Sequence, residues 1–242
     1  MSIWGKLASA TAELSGSPIG AVLGSADAKE PGEIAFAVGV IALGAKMAKA
    51  DGVVTGDEVN AFKTVFKVPE GEVKNVARVF NLAKQDATGY EAYAEQLAVM
   101  FKGNRKLLEY VLEGLFHIAK ADRVLHPNEE RLLTQIAKRF GITETDFGCI
   151  KARHAPSTKR NPYDVLGVKP SMGNDELKSH YRKLVVENHP DKLMARGVPK
   201  EFIVIATEKI AAINEAYTQI ANDQVSLAEQ FHAAWQRHTG AD

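Results

Sequence analysis

The sequence holds a single cysteine, Cys149, and no excess of either charge: 30 Lys and Arg stand against 30 Asp and Glu in 242 residues. One cysteine excludes an internal disulfide framework and fits a reducing compartment. With no activating group beside it, Cys149 is expected to pack as a small apolar residue in a helix rather than to act as a nucleophile. Zero net charge implies no global attraction to nucleic acid or to anionic lipid. There is no HExxH run, no cysteine pair and no Gly-rich phosphate loop, so zinc hydrolysis and nucleotide binding have no basis in the sequence. His117, alone on an apolar helix, is expected at the edge of a core rather than as a ligand.

Long hydrophobic runs are also missing. A membrane span needs about 20 predominantly apolar residues, and residues 1–29 do not supply them. Lys6, Glu13 and several serines interrupt the apolar stretches, and the uninterrupted core of a signal peptide is absent too. This segment is expected to be a degenerate anchor or a flexible N-terminal tail. In the first case Trp4 and the patch over residues 19–23 would touch a membrane surface weakly.

What the chain does have is helical periodicity. Residues 30–150 read as a bundle of helices over 33–50, 56–67, 70–86, 90–102, 105–121, 127–140 and 144–154, with stop and start signals at the Gly, Pro and Asn positions between them. Within this region the sequence repeats. The run Ala48-Lys49-Ala50-Asp51 through Asp57-Glu58 returns as Ala119-Lys120-Ala121-Asp122 through Asn128-Glu129, with Asp51 to Asp122 and Glu58 to Glu129 at one constant offset. Two related hairpins would pack about a pseudo-twofold axis. Asp51, Glu58, Asp122 and Glu129 would then converge as oxygen ligands for Ca²⁺ or Mg²⁺. A purely local reading stands beside it. Thr55 and Glu58 form a capping box, Glu129 takes the same third position after Pro127, and Asp51 and Asp122 are turn residues. The alternating acidic pattern of an EF-hand loop is absent.

Residues 151–160 are basic, contain a proline and lack periodicity, as expected of a tether. Beyond them a helix is expected over 175–187, with Leu177, Tyr181, Leu184 and Val185 on one face and Lys178, Arg182 and Lys183 forming a basic stripe on another. A second, over 202–221, lines up Ala206, Ile210, Ile213, Tyr217 and Ile220. The two would close as an antiparallel hairpin. At its tip lies His189-Pro190-Asp191. Pro190 cannot continue a helical ladder and pushes His189 out of the helical region, so the three side chains sit at a bend. Asp191 is an exposed acceptor suited to an arginine on a partner, and the basic stripe suits an acidic surface. A last amphipathic helix is expected over 225–237, with Leu227, Phe231, Ala234 and Trp235 on one face, packed on either domain or left exposed.

These residues carry a family resemblance. Asn161-Pro162-Tyr163-Asp164-Val165-Leu166-Gly167-Val168, Tyr181-Arg182-Lys183-Leu184, His189-Pro190-Asp191 and Ile213-Asn214-Glu215-Ala216-Tyr217, in that order, resemble the four motifs of a J-domain of the DnaJ co-chaperone family. The run from His189 to Pro199 resembles the DjlA type within it. Glu187-Asn188 departs from the family, where many J-domains carry a basic-aromatic pair. The repeat-bearing region resembles the TerB-like fold that DjlA proteins carry ahead of the J-domain. The resemblance implies an all-α chain. An N-terminal TerB-like orthogonal helical bundle would be followed by a C-terminal J-domain helical hairpin over 161–242. It also implies binding to a DnaK-type chaperone through His189, Pro190 and Asp191, stimulation of that partner's ATPase, no catalysis by the chain itself, and no required cofactor. The expected location is cytoplasmic, with peripheral association at the inner face of the membrane as its variant. A second reading makes the bundle a metal-binding sensor or adaptor that recruits the chaperone to an envelope-associated partner. A third, an enzyme built on the four carboxylates, lacks a nucleophile and a base. No zinc module or Gly/Phe-rich segment follows the hairpin, and the client protein is not legible.

Overall fold

The computed structural model describes residues 33–48, 56–85, 89–120, 125–195, 200 and 203–239, with side chains for all of these except 33–36, 56–59, 61, 157 and 225–239. The described residues form helices and turns only. The bundle comprises α1 (Glu33–Ala48), α2 (Gly56–Val65), α3 (Val73–Gln85), α4 (Tyr90–Met100), α5 (Arg105–Ala119), α6 (Pro127–Arg139) and α7 (Glu144–His154). Two of these are apolar almost all round, and a helix of that kind must be central. In α1, Val38, Ile41, Ala42, Leu43 and Ala45 have no exposed surface; in α5, Leu107, Leu108 and every residue from Tyr110 through Phe116 are buried. Accordingly α1 packs on α3, α4 and α5, while α5 packs on α2, α6 and α7. Gly39 permits one of these contacts. A Cβ there would lie 2.6 Å from Leu97 Cδ2, so α1 and α4 approach closely only because this position is bare.

Local chemistry sets the helix ends. Asn104 and Thr143 accept from the backbone N–H groups of Leu107 and Asp146, at 3.3 and 3.1 Å, and so satisfy donors that the first turns leave open. We expect Thr143→Ala to destabilise the bundle by about 1 kcal/mol, the usual worth of such a cap, read as a shift in the urea midpoint.

The C-terminal part comprises α8 (Pro162–Leu166), α9 (Asn174–Glu187), α10 (Pro190–Ala195) and α11 (Ile203–Thr239). Asn161 caps α8 by accepting from Tyr163 N. Gly167 ends it at φ +69, and a Cβ there would meet Cys149 Sγ at 2.8 Å. Glycine answers both demands, the left-handed backbone and the close approach to α7. Cys149 is half-buried in that contact, and burial pushes its thiol up. Val165, Leu166, Leu177, Ile213, Ala216 and Ile220 form the small core, with Tyr163, Tyr181, Leu184, Val185 and Tyr217 packed around it. The rings of Tyr181 and Tyr217 stack at 4.1 Å.

Three expectations change. The apolar stripe of α11 does not face α9 along its whole length. Ile205 and Ala206 belong to the large core of the bundle, whereas Ile213, Ala216 and Ile220 belong to the small one. The helix expected over 225–237 is the continuation of α11, because Asn222-Asp223-Gln224 contains no breaker; the side chains of Phe231 and Trp235 lie outside the described residues. The run 151–160 is not a free tether throughout. Lys151 to His154 complete α7, Ser157–Lys159 is a 3-10 turn, His154 is buried and Arg153 is partly buried rather than solvated. A buried carboxylate holds them, as described below. Among the described residues no helix is long and apolar enough to cross a membrane, and residues 1–29 lie outside that description.

Candidate functional site

Glu187 ends α9, and Asn188 is its C-cap, donating its backbone N–H to Leu184 O at 3.1 Å. Pro190 then opens α10, as proline suits the first helical position, where no N–H is required. His189 alone is therefore at the bend, while Pro190 and Asp191 begin a short helix, a correction to a bare turn. The His189 ring turns back, with Nδ1 accepting from the Asp191 N–H at 3.3 Å. Both side chains face outward, His189 at 55% and Asp191 at 82% exposure. Lys178, Arg182 and Lys183 lie exposed on α9 and pair with no carboxylate among the described residues. Charges of both signs are thus available to a partner: a carboxylate beside a ring at the turn, and a basic face on the preceding helix.

The surroundings of the turn were not legible from pattern. Asn188 has no exposed surface. Its Oδ1 accepts from the hydroxyl of Tyr110 on α5 at 2.8 Å, and its Nδ2 donates to Leu184 O at 2.6 Å. Leu193, on the other side of the turn, is fully buried in the core of the bundle. The turn is thus built against the bundle.

Beside it lies a buried charge cluster joining the two parts. Glu113 of α5, 2% exposed, takes Arg153 Nη2 at 2.6 Å and Nε at 3.0 Å, His154 Nε2 at 2.8 Å and Lys209 Nζ at 3.4 Å. Arg153 also reaches Val165 O at 3.4 Å, and the Lys209 ammonium sits 5.0 Å from the centre of the Tyr110 ring. Burial alone would raise the Glu113 carboxyl, but Arg153, Lys209 and His154 outweigh it and hold it well below the usual range. Burial pushes His154 down to about 4 against the pull of Glu113. The ring is therefore neutral, and since a carboxylate only accepts, its proton is on Nε2. Burial, and then Arg153, lower Lys209 to about 8, so it keeps its charge at neutral pH. The sequence did carry a signal. Glu113 interrupts an apolar run, and Lys209 falls on the stripe shared by Ile205 and Ile213. His117 stands at the rim, 3.1 Å from Glu208.

Of the four carboxylates considered for a metal, Asp51 and Asp122 lie outside the described residues, as does the side chain of Glu58. Glu129 is buried and accepts from the His126 N–H at 2.8 Å, the capping geometry of the local reading. Among the described residues no group of three or more His, Cys, Asp or Glu side chains could hold a metal ion.

A bundle with seven helices among the described residues, followed by a helical hairpin with exposed His189 and Asp191 at its turn, defines a J-domain protein with a TerB-like N-terminal domain. The models of two families match in that order: tellurite resistance protein TerB over residues 37–152 and the DnaJ domain over residues 161–226. Similar proteins include the co-chaperone protein DjlA of Photobacterium profundum, 31% identical over 204 residues that span 74% of either chain. That of Vibrio cholerae is 30% identical over 210 residues, again 74% of each. That of Escherichia coli K12 is 32% identical over 165 residues, 58% of this chain and 60% of the relative. No solved structure matches. The chain belongs to the DjlA co-chaperone family.

Proposed function

We infer that the chain docks on a DnaK-type chaperone through His189, Pro190 and Asp191, with Lys178, Arg182 and Lys183 against an acidic surface of that partner, and that docking accelerates the partner's ATP hydrolysis. The observation that carries this reading is the exposed His189-Pro190-Asp191 turn beside a basic face with no partner of its own among the described residues. Asp191 presents a carboxylate acceptor to an arginine, and charge-assisted pairs of that kind are among the stronger hydrogen bonds. The basic face steers the encounter and is screened by salt. The hydrolytic groups belong to the partner.

The test is single-turnover ATP hydrolysis by a DnaK-type chaperone, with the chain and with Asp191→Asn. The wild type accelerates hydrolysis and the variant, which keeps the shape and loses the charge, does not. Stimulation equal in the two proteins, or absent in both, overturns the reading. Added salt should raise the concentration needed for half-maximal stimulation.

A further inference from the structure

The His189-Pro190-Asp191 turn is held from both flanks by a domain to which it does not belong. Upstream, Asn188 is buried without remainder and uses both ends of its amide: Nδ2 donates to Leu184 O, and Oδ1 accepts from the Tyr110 hydroxyl. The donor end faces a carbonyl and the acceptor end a hydroxyl, so only one orientation of the amide satisfies both neighbours. Downstream, Leu193 enters the core of the bundle and its N–H donates to His189 O at 3.1 Å. Between these anchors His189 and Asp191 project to solvent, as do Lys178, Arg182 and Lys183 on α9. The bundle therefore supports the turn without covering the surface a partner would read. A cover would act as a lock; a support from behind acts by preorganisation.

We propose that Tyr110 of the TerB-like bundle is a positioning residue for the His189-Pro190-Asp191 turn, fixing it through Asn188 in the conformation that the chaperone partner binds. The proposal rests on the docking function argued above. It gives the bundle a direct part in the work of the J-domain, and it gives Asn188, the position where the chain departs from the family's pattern, a physical role. A turn that samples other shapes binds with an affinity reduced by the fraction of time it is competent. Loss of the brace therefore appears in the concentration of co-chaperone required and leaves the maximal rate at saturation intact.

The test uses the full chain and Tyr110→Phe, which keeps the ring over which Lys209 lies and deletes only the hydroxyl. We expect the concentration for half-maximal stimulation to rise about two- to tenfold, the worth of one buried hydrogen bond, with maximal stimulation unchanged. The effects of Tyr110→Phe and Asn188→Ala should not multiply in the double variant. Thr143→Ala, of similar cost to stability but remote in sequence from the turn, should leave the half-maximal concentration where it is. Backbone hydrogen exchange read residue by residue should quicken at Asp191 and Leu193 in Tyr110→Phe and stay as it was in α1 and α6. A half-maximal concentration that does not move, or that moves equally in Thr143→Ala, overturns the proposal. If the wild type stimulates no chaperone, the docking function fails, and exchange at Asp191 and Leu193 still decides the brace: faster exchange sustains it, unchanged exchange overturns it.

Discussion

Glu113→Ala should destabilise the chain by about 3–5 kcal/mol, the range for removing one partner from a buried ion pair. The size follows from what the substitution leaves behind. Arg153 and Lys209 are 9% and 5% exposed, and Glu113 is the acceptor they share. Without it two cations stay largely out of solvent near one another, and among the described residues only Glu109, 3.9 Å from Lys209, remains to offset them. The neutral His154 ring loses the acceptor for its Nε2 proton as well. These groups come from α5, α7 and α11, so the loss falls on the junction between bundle and hairpin. Urea denaturation should show a lower midpoint, and the hairpin should open before the bundle. A change below about 1 kcal/mol would show that the cluster is more hydrated than its burial indicates. The exposed pairs Lys151–Glu130 and Arg105–Asp146 make the contrast. Pairs of that kind contribute about 0–1 kcal/mol, and their removal should barely register.

Acidification should weaken the same junction before the carboxylates as a whole titrate. Burial holds the His154 pKa at about 4 in the folded chain against an ordinary value of 6.5. Between these two pH values the unfolded chain takes up a proton that the folded chain refuses. The contribution of His154 is thus complete above pH 6.5 and is lost as the pH falls toward 4, to a total of roughly 3 kcal/mol. His117, lowered chiefly by its own burial, acts in the same direction. Glu113 adds a second window. Its folded pKa lies well below 4.5, so its contribution is present above that value and disappears below it. Urea midpoints measured from pH 7.5 to 4 should therefore fall steadily, with half or more of the fall already reached near pH 5. In His154→Gln the upper part of that slope should flatten. A midpoint that stays level down to pH 5 would mean that His154 is protonated within the fold.

The J-domain was largely readable from the chain because its signals are local. Pro190 ends one helix and starts another whatever surrounds it. Leu177, Tyr181, Leu184 and Val185 share a face by helical geometry alone; Leu177 lies in the small core and the other three pack against it. The bundle's helix ends were legible for the same reason: Asn104, Pro127 and Thr143 act within a turn of their own positions. Glu129 was read two ways, and the contact it makes with His126 is the local one.

What periodicity cannot supply is the identity of the surface that covers an apolar face. The stripe of α11 is one continuous pattern in the sequence, yet Ala206 faces the bundle and Ile213 the hairpin. Tyr110 and Asn188, far apart in the sequence, carry no sign of each other. Arg153 and His154 read as tether because their composition is basic, and nothing within a few residues of Glu113 names the cations that meet it. The sequence alone determined most of the helices, the place of His189-Pro190-Asp191 after α9 and the basic face beside it, since each depends on neighbours within a few residues. Tertiary structure decided that the turn is braced by the bundle and that Glu113, His154 and Lys209 are buried at the junction with Arg153 partly buried beside them. The cost of burying a polar group depends on which partner arrives opposite it, and that is settled only when distant helices meet.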